Sequence, residues 1–198
     1  RHGSRLTCKP MKGTRPAAGD PHELAANPKD QAENLMIVDM IRNDLGRIAV
    51  TGSVRVPNLF EIERHSTVLQ MTSTVEADIS VRSNVDVFRA LFPCASVVGA
   101  PKIEASRVIV EQEVSARGVY CGAIGYMAPG DRARFSVAIR TMACTHDGSL
   151  SYGTGSGIVH DSVPDDEFQE CTTKLEILNQ IRTPMALLET LPGGFVAT

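Results

Sequence analysis

Lys12 stands between two prolines, in Lys9-Pro10-Met11-Lys12-Gly13-Thr14-Arg15-Pro16. Pro10 and Pro16 fix φ and push the residue before each toward extended backbone. Gly13 permits a positive φ or the close approach of another segment. A lysine on so constrained a segment has restricted reach, as a covalent nucleophile needs. Its amine attacks only after losing its proton, so such a site must be desolvated or hold a second cation. Taken alone, a lysine in a turn is more often a solvated surface residue.

Further groups of chemical interest lie downstream. Glu167, Glu170 and Lys174 stand at i, i+3 and i+7, which puts them on one helical stripe. Phe168, Cys171, Leu175 and Leu178 form the apolar stripe beside it. Two carboxylates on adjacent turns can hold a hard cation through oxygen, with water or substrate completing the shell. The same spacing suits a solvated face with a Glu170–Lys174 pair. Glu33 shares a helical face with Ile37, Met40 and Asp44. It is expected to point inward, where a metal or cation must offset the buried charge; an exposed first-turn glutamate is the alternative. Asp39, Arg42, Asn43 and Asp44 read as a structural salt-bridge and hydrogen-bond cluster. Gly153-Thr154-Gly155-Ser156-Gly157 is neither a Walker A loop nor a dinucleotide fingerprint. Its N–H groups could form a small nest for a carboxylate, or it is a bulged strand. Arg140 is expected on a strand, sharing a face with Arg134, Ser136 and Ala138. Its guanidinium suits bidentate carboxylate binding, although an exposed strand arginine is the plainer alternative.

The elements that must position these groups follow from pattern. Residues 1–8 read as a strand and 16–28, rich in Pro, Ala, Gly and Asp, as a loop. A helix is expected from about Pro28 to Gly46, with Asp30 and Glu33 near its positive end and Arg42, Gly46 and Arg47 at its stop. Arg47 to Pro57 reads as a hairpin turning at Thr51-Gly52. Val68 to Val81 is β-branched and strand-like. Helices are expected over 85–92 and 101–116, strands over 119–128, 134–144 and 151–160, and a last helix over 164–182. Strand pairs outnumber βαβ units, so the class is α+β rather than a doubly wound sheet. Residues 1–182 read as one domain part; 183–198 break the helical pattern and read as a linker or the opening of another domain.

The 198 residues, 42% hydrophobic, suffice for a packed core. A net charge of −3 offers no reason to expect nucleic acid. No run of 18 apolar residues exists to span a membrane. Five cysteines, odd in number and without CxxC or zinc spacing, read as free thiols of a reducing cytoplasm.

The lysine segment resembles the Pro-Ile-Lys-Gly-Thr motif of the component I family of aminodeoxychorismate synthases, the para-aminobenzoate branch of the chorismate-utilising enzymes. Anthranilate synthase component I, a relative, usually carries alanine at the position of Lys12. The resemblance continues in order through Ala32 to Asp39, Arg42 to Gly46, Gly99-Ala100-Pro101-Lys102, Gly122 to Tyr126, Ile139-Arg140-Thr141, Gly155 to Val159 and Glu167 to Glu170. It implies a layered β-sandwich flanked by helices, of which this chain is roughly the C-terminal half. The missing half would hold a glutamate used for acid–base work. The implied reaction adds ammonia to chorismate, with Lys12 adding at C2 as the 4-hydroxyl leaves and ammonia then displacing it from C4. Glu33, Glu167 and Glu170 become Mg²⁺ ligands, and Lys174 a contact to a substrate carboxylate. Tyr126 and Arg140 are implied on the enolpyruvyl carboxylate, with Gly155 and Gly157 as backbone donors. A glutamine amidotransferase would supply the ammonia, since no cysteine here sits in a nucleophile-elbow context. Leu187 to Phe195 is similar to the start of an aminodeoxychorismate lyase domain. An inert chorismate-binding piece is the rival of a different class. Two positions depart from the family. Gln70 stands where histidine is common, and it cannot shuttle protons near neutral pH. Val98 stands where threonine is usual, which removes a hydroxyl.

Overall fold

The computed structural model describes residues 1–66, 68–80, 83–176 and 178. Its elements are β1 (Arg5–Cys8), β2 (Met11–Pro16), α1 (Pro21–Ala26), α2 (Pro28–Gly46), β3 (Arg55–Arg64), β4 (Val68–Asp78), α3 (Asn84–Leu91), α4 (Ala95–Val98), α5 (Lys102–Gln112), β5 (Ala123–Ala128), β6 (Arg132–Val137), β7 (Met142–Cys144), β8 (Leu150–Tyr152) and α6 (Pro164–Leu175). Mixed helices and antiparallel strands make the class α+β, as the strand-pair pattern implies. The chain divides into two compact units, Arg1–Ala138 and the part from Ile139 onward. The expected boundary at residue 182 and the tail 183–198 lie outside the described residues.

β4 organises the first unit. β3 pairs along one of its edges. β1 pairs with Val75 to Asp78 and β2 with Val68 to Thr72, so the two lie end to end along the other edge. With both edges occupied, β4 is central, and its β-branched run is buried from Leu69 to Val75 save for Gln70. Leu69, Met71, Ser73, Val75 and Ala77 alternate onto one face. There Val75 and Ala77 join Leu6, Val38, Leu45, Ile48, Ile79 and Val87 in one apolar cluster. Leu69 and Met71 pack with Leu24 in a second.

α2 has the bounds that its sequence predicts. Asn27 caps it by accepting from Asp30 N at 3.0 Å, and Pro28 occupies the first turn, where a missing N–H costs nothing. Two local expectations fail. Residues 16–28 are not all loop: Asp20 accepts from His22 N at 2.8 Å and caps the short helix α1, whose Leu24 is fully buried. The Asp20-Pro21 pair is a cap-and-first-turn signal that outweighs the loop-like composition. The turn at Gly52 (φ +79°) makes no hairpin. Beyond the turn's own bond from Ser53 N to the Val50 carbonyl at 3.0 Å, Ala49 bridges Ile79 and Arg55 pairs with Glu76, so both flanks run along the end of β4 and its extension.

The expected strand 134–144 also breaks. β6 ends at Val137, and Arg140 takes φ +50°, the left-handed region, through which extended backbone cannot continue. In the second unit β7 and β8 pair around Asp147-Gly148, as the turn signal implies. The expected strand 151–160 shortens to Leu150–Tyr152.

Candidate functional site

The register of β2 against β4 explains where Lys12 points. Met11 lies opposite Thr72 and Thr14 opposite Gln70, so Lys12 and Gly13 together oppose the single residue Met71. That is a β-bulge. Lys12 and Arg15 are three apart and would fall on opposite faces of a regular strand. The extra residue brings both onto the face that α2 covers. Gly13 has φ +83°, and a Cβ there would lie 3.1 Å from Asp30 side-chain atoms. The bulge therefore needs glycine for its conformation and for the close approach of α2.

α2 answers this spacing with acids one turn apart. Arg15 Nη2 lies 2.8 Å from Asp30 Oδ2, and Lys12 Nζ lies 3.7 Å from Glu33 Oε2. Upstream, Lys9 Nζ donates to Glu63 Oε1 at 3.0 Å. That hydrogen bond is the main reason the Glu63 carboxyl is held below the usual carboxylate range. The Cys8 thiol is pushed up to about 11, chiefly by burial. The Lys12 and Glu33 side chains keep 33% and 39% exposure. Glu33 is thus at the rim of the helix–sheet contact rather than inside it, and the ion beside Lys12 is an anion rather than a second cation.

Two polar residues of α2 point inward, Asp44 and Asn34, and Asn34 is fully buried. Ser73 Oγ donates to Asn34 Oδ1 at 2.6 Å, and Asn34 Nδ2 approaches the Met71 carbonyl at 3.5 Å. Asn34 precedes Ile37 and Val38 by three and four positions, so its burial was legible from spacing. In the sequence Gln70 is only a departure from the family pattern. It lies opposite Thr14, accepts from Thr14 Oγ1 at 3.1 Å and donates through Nε2 to the Gly13 carbonyl at 2.8 Å. Nothing in a linear pattern signals that contact across 57 positions. The expected cluster around Asp39 divides: Arg42 pairs with Asp39 on the surface at 2.7 Å. Asp44 instead reaches Lys102 of α5 at 2.6 Å, with little exposure of either side chain. Val98 lines an apolar hollow with Phe92, Ile109 and Tyr120.

Tyr126, also in the first unit, lies on β5 opposite Arg134 and is exposed. Its neighbour Gly125 cannot carry a side chain, because a Cβ would sit 2.0 Å from the Arg134 carbonyl.

The second unit gathers Gly155, Glu170 and Lys174. Lys174 Nζ donates to the Gly155 carbonyl at 2.8 Å and to Glu170 Oε1 at 2.5 Å. Thr154 Oγ1 donates to the Cys171 carbonyl at 3.4 Å, tying the glycine-rich segment to α6. Glu167 and Glu170 occupy successive turns of α6, whose first turn is acidic. A Cβ on Gly157 would meet open space. Arg140 is not on a strand, and its face-sharing with Arg134 and Ser136 is lost; it is exposed beyond the end of β6. Among the described residues no group of three or more His, Cys, Asp or Glu side chains converges as a metal site would.

The sequence pattern of chorismate binding enzymes matches residues 1–180. Aminodeoxychorismate synthase component 1 of Escherichia coli (strain K12) is 42% identical over 187 residues, which is 90% of this chain and 41% of that protein. Anthranilate synthase component 1 of Streptomyces coelicolor is 41% identical over 180 residues, 87% of this chain and 35% of that protein. The crystal structure of anthranilate synthase component I from Streptococcus pneumoniae TIGR4 matches with a TM-score of 0.72 at 36% identity, over 86% of this chain and 39% of that one. The chain spans 19% to 41% of the length of the aminodeoxychorismate synthases it matches.

Proposed function

Because this chain belongs to the family of chorismate binding enzymes, we propose that the full-length protein aminates chorismate to 4-amino-4-deoxychorismate, with Lys12 as covalent nucleophile. One observation carries the reading: a glycine bulge directs Lys12 out of the strand rhythm and fixes it on the face that α2 covers. A nucleophile needs such restricted placement, and a surface lysine does not. The amine adds to C2 as the hydroxyl leaves C4 and takes up a proton as water. Ammonia then adds at C4, the C2–N bond breaks, and the free amine returns.

Chorismate carries two carboxylates, and the cationic and N–H groups suit them. Lys174 has three N–H donors, of which Gly155 and Glu170 take two, so one is left for a substrate carboxylate. Arg140 and Tyr126 are proposed for the enolpyruvyl carboxylate, with Gly155 and Gly157 as backbone donors. Mg²⁺ is proposed as cofactor. Glu167 and Glu170 offer hard-cation oxygen ligands one turn apart on α6; Glu170 also accepts from the Lys174 ammonium, and Glu33 faces that of Lys12. When bound, the ion would neutralise a carboxylate of the substrate. Relatives named component 1 support a second component, for which we propose a glutamine amidotransferase supplying ammonia. The product would feed para-aminobenzoate and folate synthesis. The five free cysteines support a cytoplasmic setting.

Anthranilate synthesis is the second reading, since identity to the two groups is nearly equal, 42% against 41%. The test is a product assay by mass on the full-length protein with chorismate, Mg²⁺ and ammonium, beside Lys12→Ala. Aminodeoxychorismate that disappears in the variant supports the proposal. Anthranilate from the unaltered protein, or an unchanged product in Lys12→Ala, overturns it; cooperative unfolding of the 198-residue piece, with Mg²⁺-dependent chorismate binding but no turnover, favours an inert chorismate-binding piece.

A further inference from the structure

We propose that Gln70 is a positioning residue for Lys12, holding the bulge that aims the amine; this rests on the assignment of Lys12 as nucleophile. A bulge leaves backbone groups without ladder partners. Here the Gly13 carbonyl, next to Lys12, takes its hydrogen bond from Gln70 Nε2 at 2.8 Å. A carbonyl can only accept, so the amide nitrogen must face it, and the amide oxygen is left for the Thr14 hydroxyl at 3.1 Å. Both ends of one side chain are used, on the two residues that follow Lys12. Gln70 sits directly opposite Thr14 on β4, the most buried strand of the unit, so its own anchor is rigid. Ser73 N donates to the Pro10 carbonyl at 3.0 Å and fixes the segment on the other side of Lys12. β4 therefore clamps the lysine segment before and after the nucleophile. A neutral carboxamide does this without adding a charge that would compete for Glu33.

The role separates from ordinary stability by what it moves. In the full-length protein, the acylation rate of Lys12 by acetic anhydride at pH 8 is read by peptide mass mapping, with Lys9 as internal control. Steady-state kinetics of the aminated product are read in parallel. Gln70→Met keeps the length of the side chain but can neither donate nor accept. Loss of two hydrogen bonds should raise Lys12 acylation about tenfold, leave Lys9 within twofold, and lower kcat about tenfold with KM within twofold. Thr14→Val removes one of the two contacts on an exposed side chain. It should shift the same quantities in the same direction by about threefold, and it serves if Gln70→Met does not fold. Unchanged Lys12 acylation in the folded variants overturns the inference, whatever happens to kcat. Faster acylation with unchanged product formation upholds the positioning role and overturns Lys12 as nucleophile, so the two failures are distinguishable.

Discussion

Replacing Lys102 with methionine tests whether α2 and α5 are joined by their buried ion pair. Lys102 Nζ lies 2.6 Å from Asp44 Oδ2, and the two side chains keep only 19% and 10% exposure. At that distance the attraction is roughly 6 kcal/mol for an effective dielectric of 20, before the cost of desolvating both ions. Net strength is not what the variant measures. Lys102→Met leaves the Asp44 carboxylate buried without its cation, in the last turn of α2, where the helix dipole also disfavours negative charge. Breaking a fully buried pair costs about 3–5 kcal/mol. Residual exposure lowers that to about 2–4 kcal/mol here. The assay is hydrogen exchange of the full-length protein, followed on peptides covering the end of α2 and the start of α5. Local opening should become about 30- to 900-fold more frequent. Asp44→Asn combined with Lys102→Met removes the stranded charge and should recover at least half of the lost protection. Exchange within threefold of the unaltered protein, or a double variant no better than Lys102→Met, would refute the reasoning.

Further outcomes follow from the same geometry. Gly13→Ala puts a Cβ 3.1 Å from Asp30 at φ +83°, and should cost about 1–3 kcal/mol in the urea unfolding of the full-length protein, with loss of product formation. Cys8, half-buried and with its thiol pushed up to about 11, should react with iodoacetamide at pH 8 at least about 100-fold more slowly than exposed Cys144, read by peptide mass mapping. Glu63→Gln should lower the melting temperature at pH 7. The Glu63 carboxyl is depressed below its ordinary 4.5, so its contribution is fully present above that value and is lost as pH falls through the lower folded value. The melting difference between the two proteins should therefore shrink below about pH 4.5, and a constant gap from pH 7 to pH 3 would contradict the Lys9–Glu63 pair.

Short-range chemistry was the legible part. The cap and proline that start α2 are within two residues of one another, and so are the turn residues between β7 and β8. Asp20-Pro21 carried the same kind of signal for α1, but the surrounding Pro, Ala and Gly masked it. Arg140 leaves the expected strand although alternation continues across 134–140, because alternation says nothing about where φ turns positive.

By itself the sequence determined the class of fold, the order of the motifs and the family, because these depend on residue type and local spacing. Tertiary structure alone decided what Lys12 faces. A bulge is a mismatch between two strands, visible only when Met11 and Thr14 are set against Thr72 and Gln70. The partners of the lysine segment come from Glu33, Asp30 and Gln70, brought there by α2 and β4. Period-2 and period-3.6 patterns say which face is buried, not which distant side chain meets it. Glu33 was expected inward on pattern and stands at the rim, while Asn34 beside it takes the buried place and Gln70 the contacts to the strand that carries Lys12.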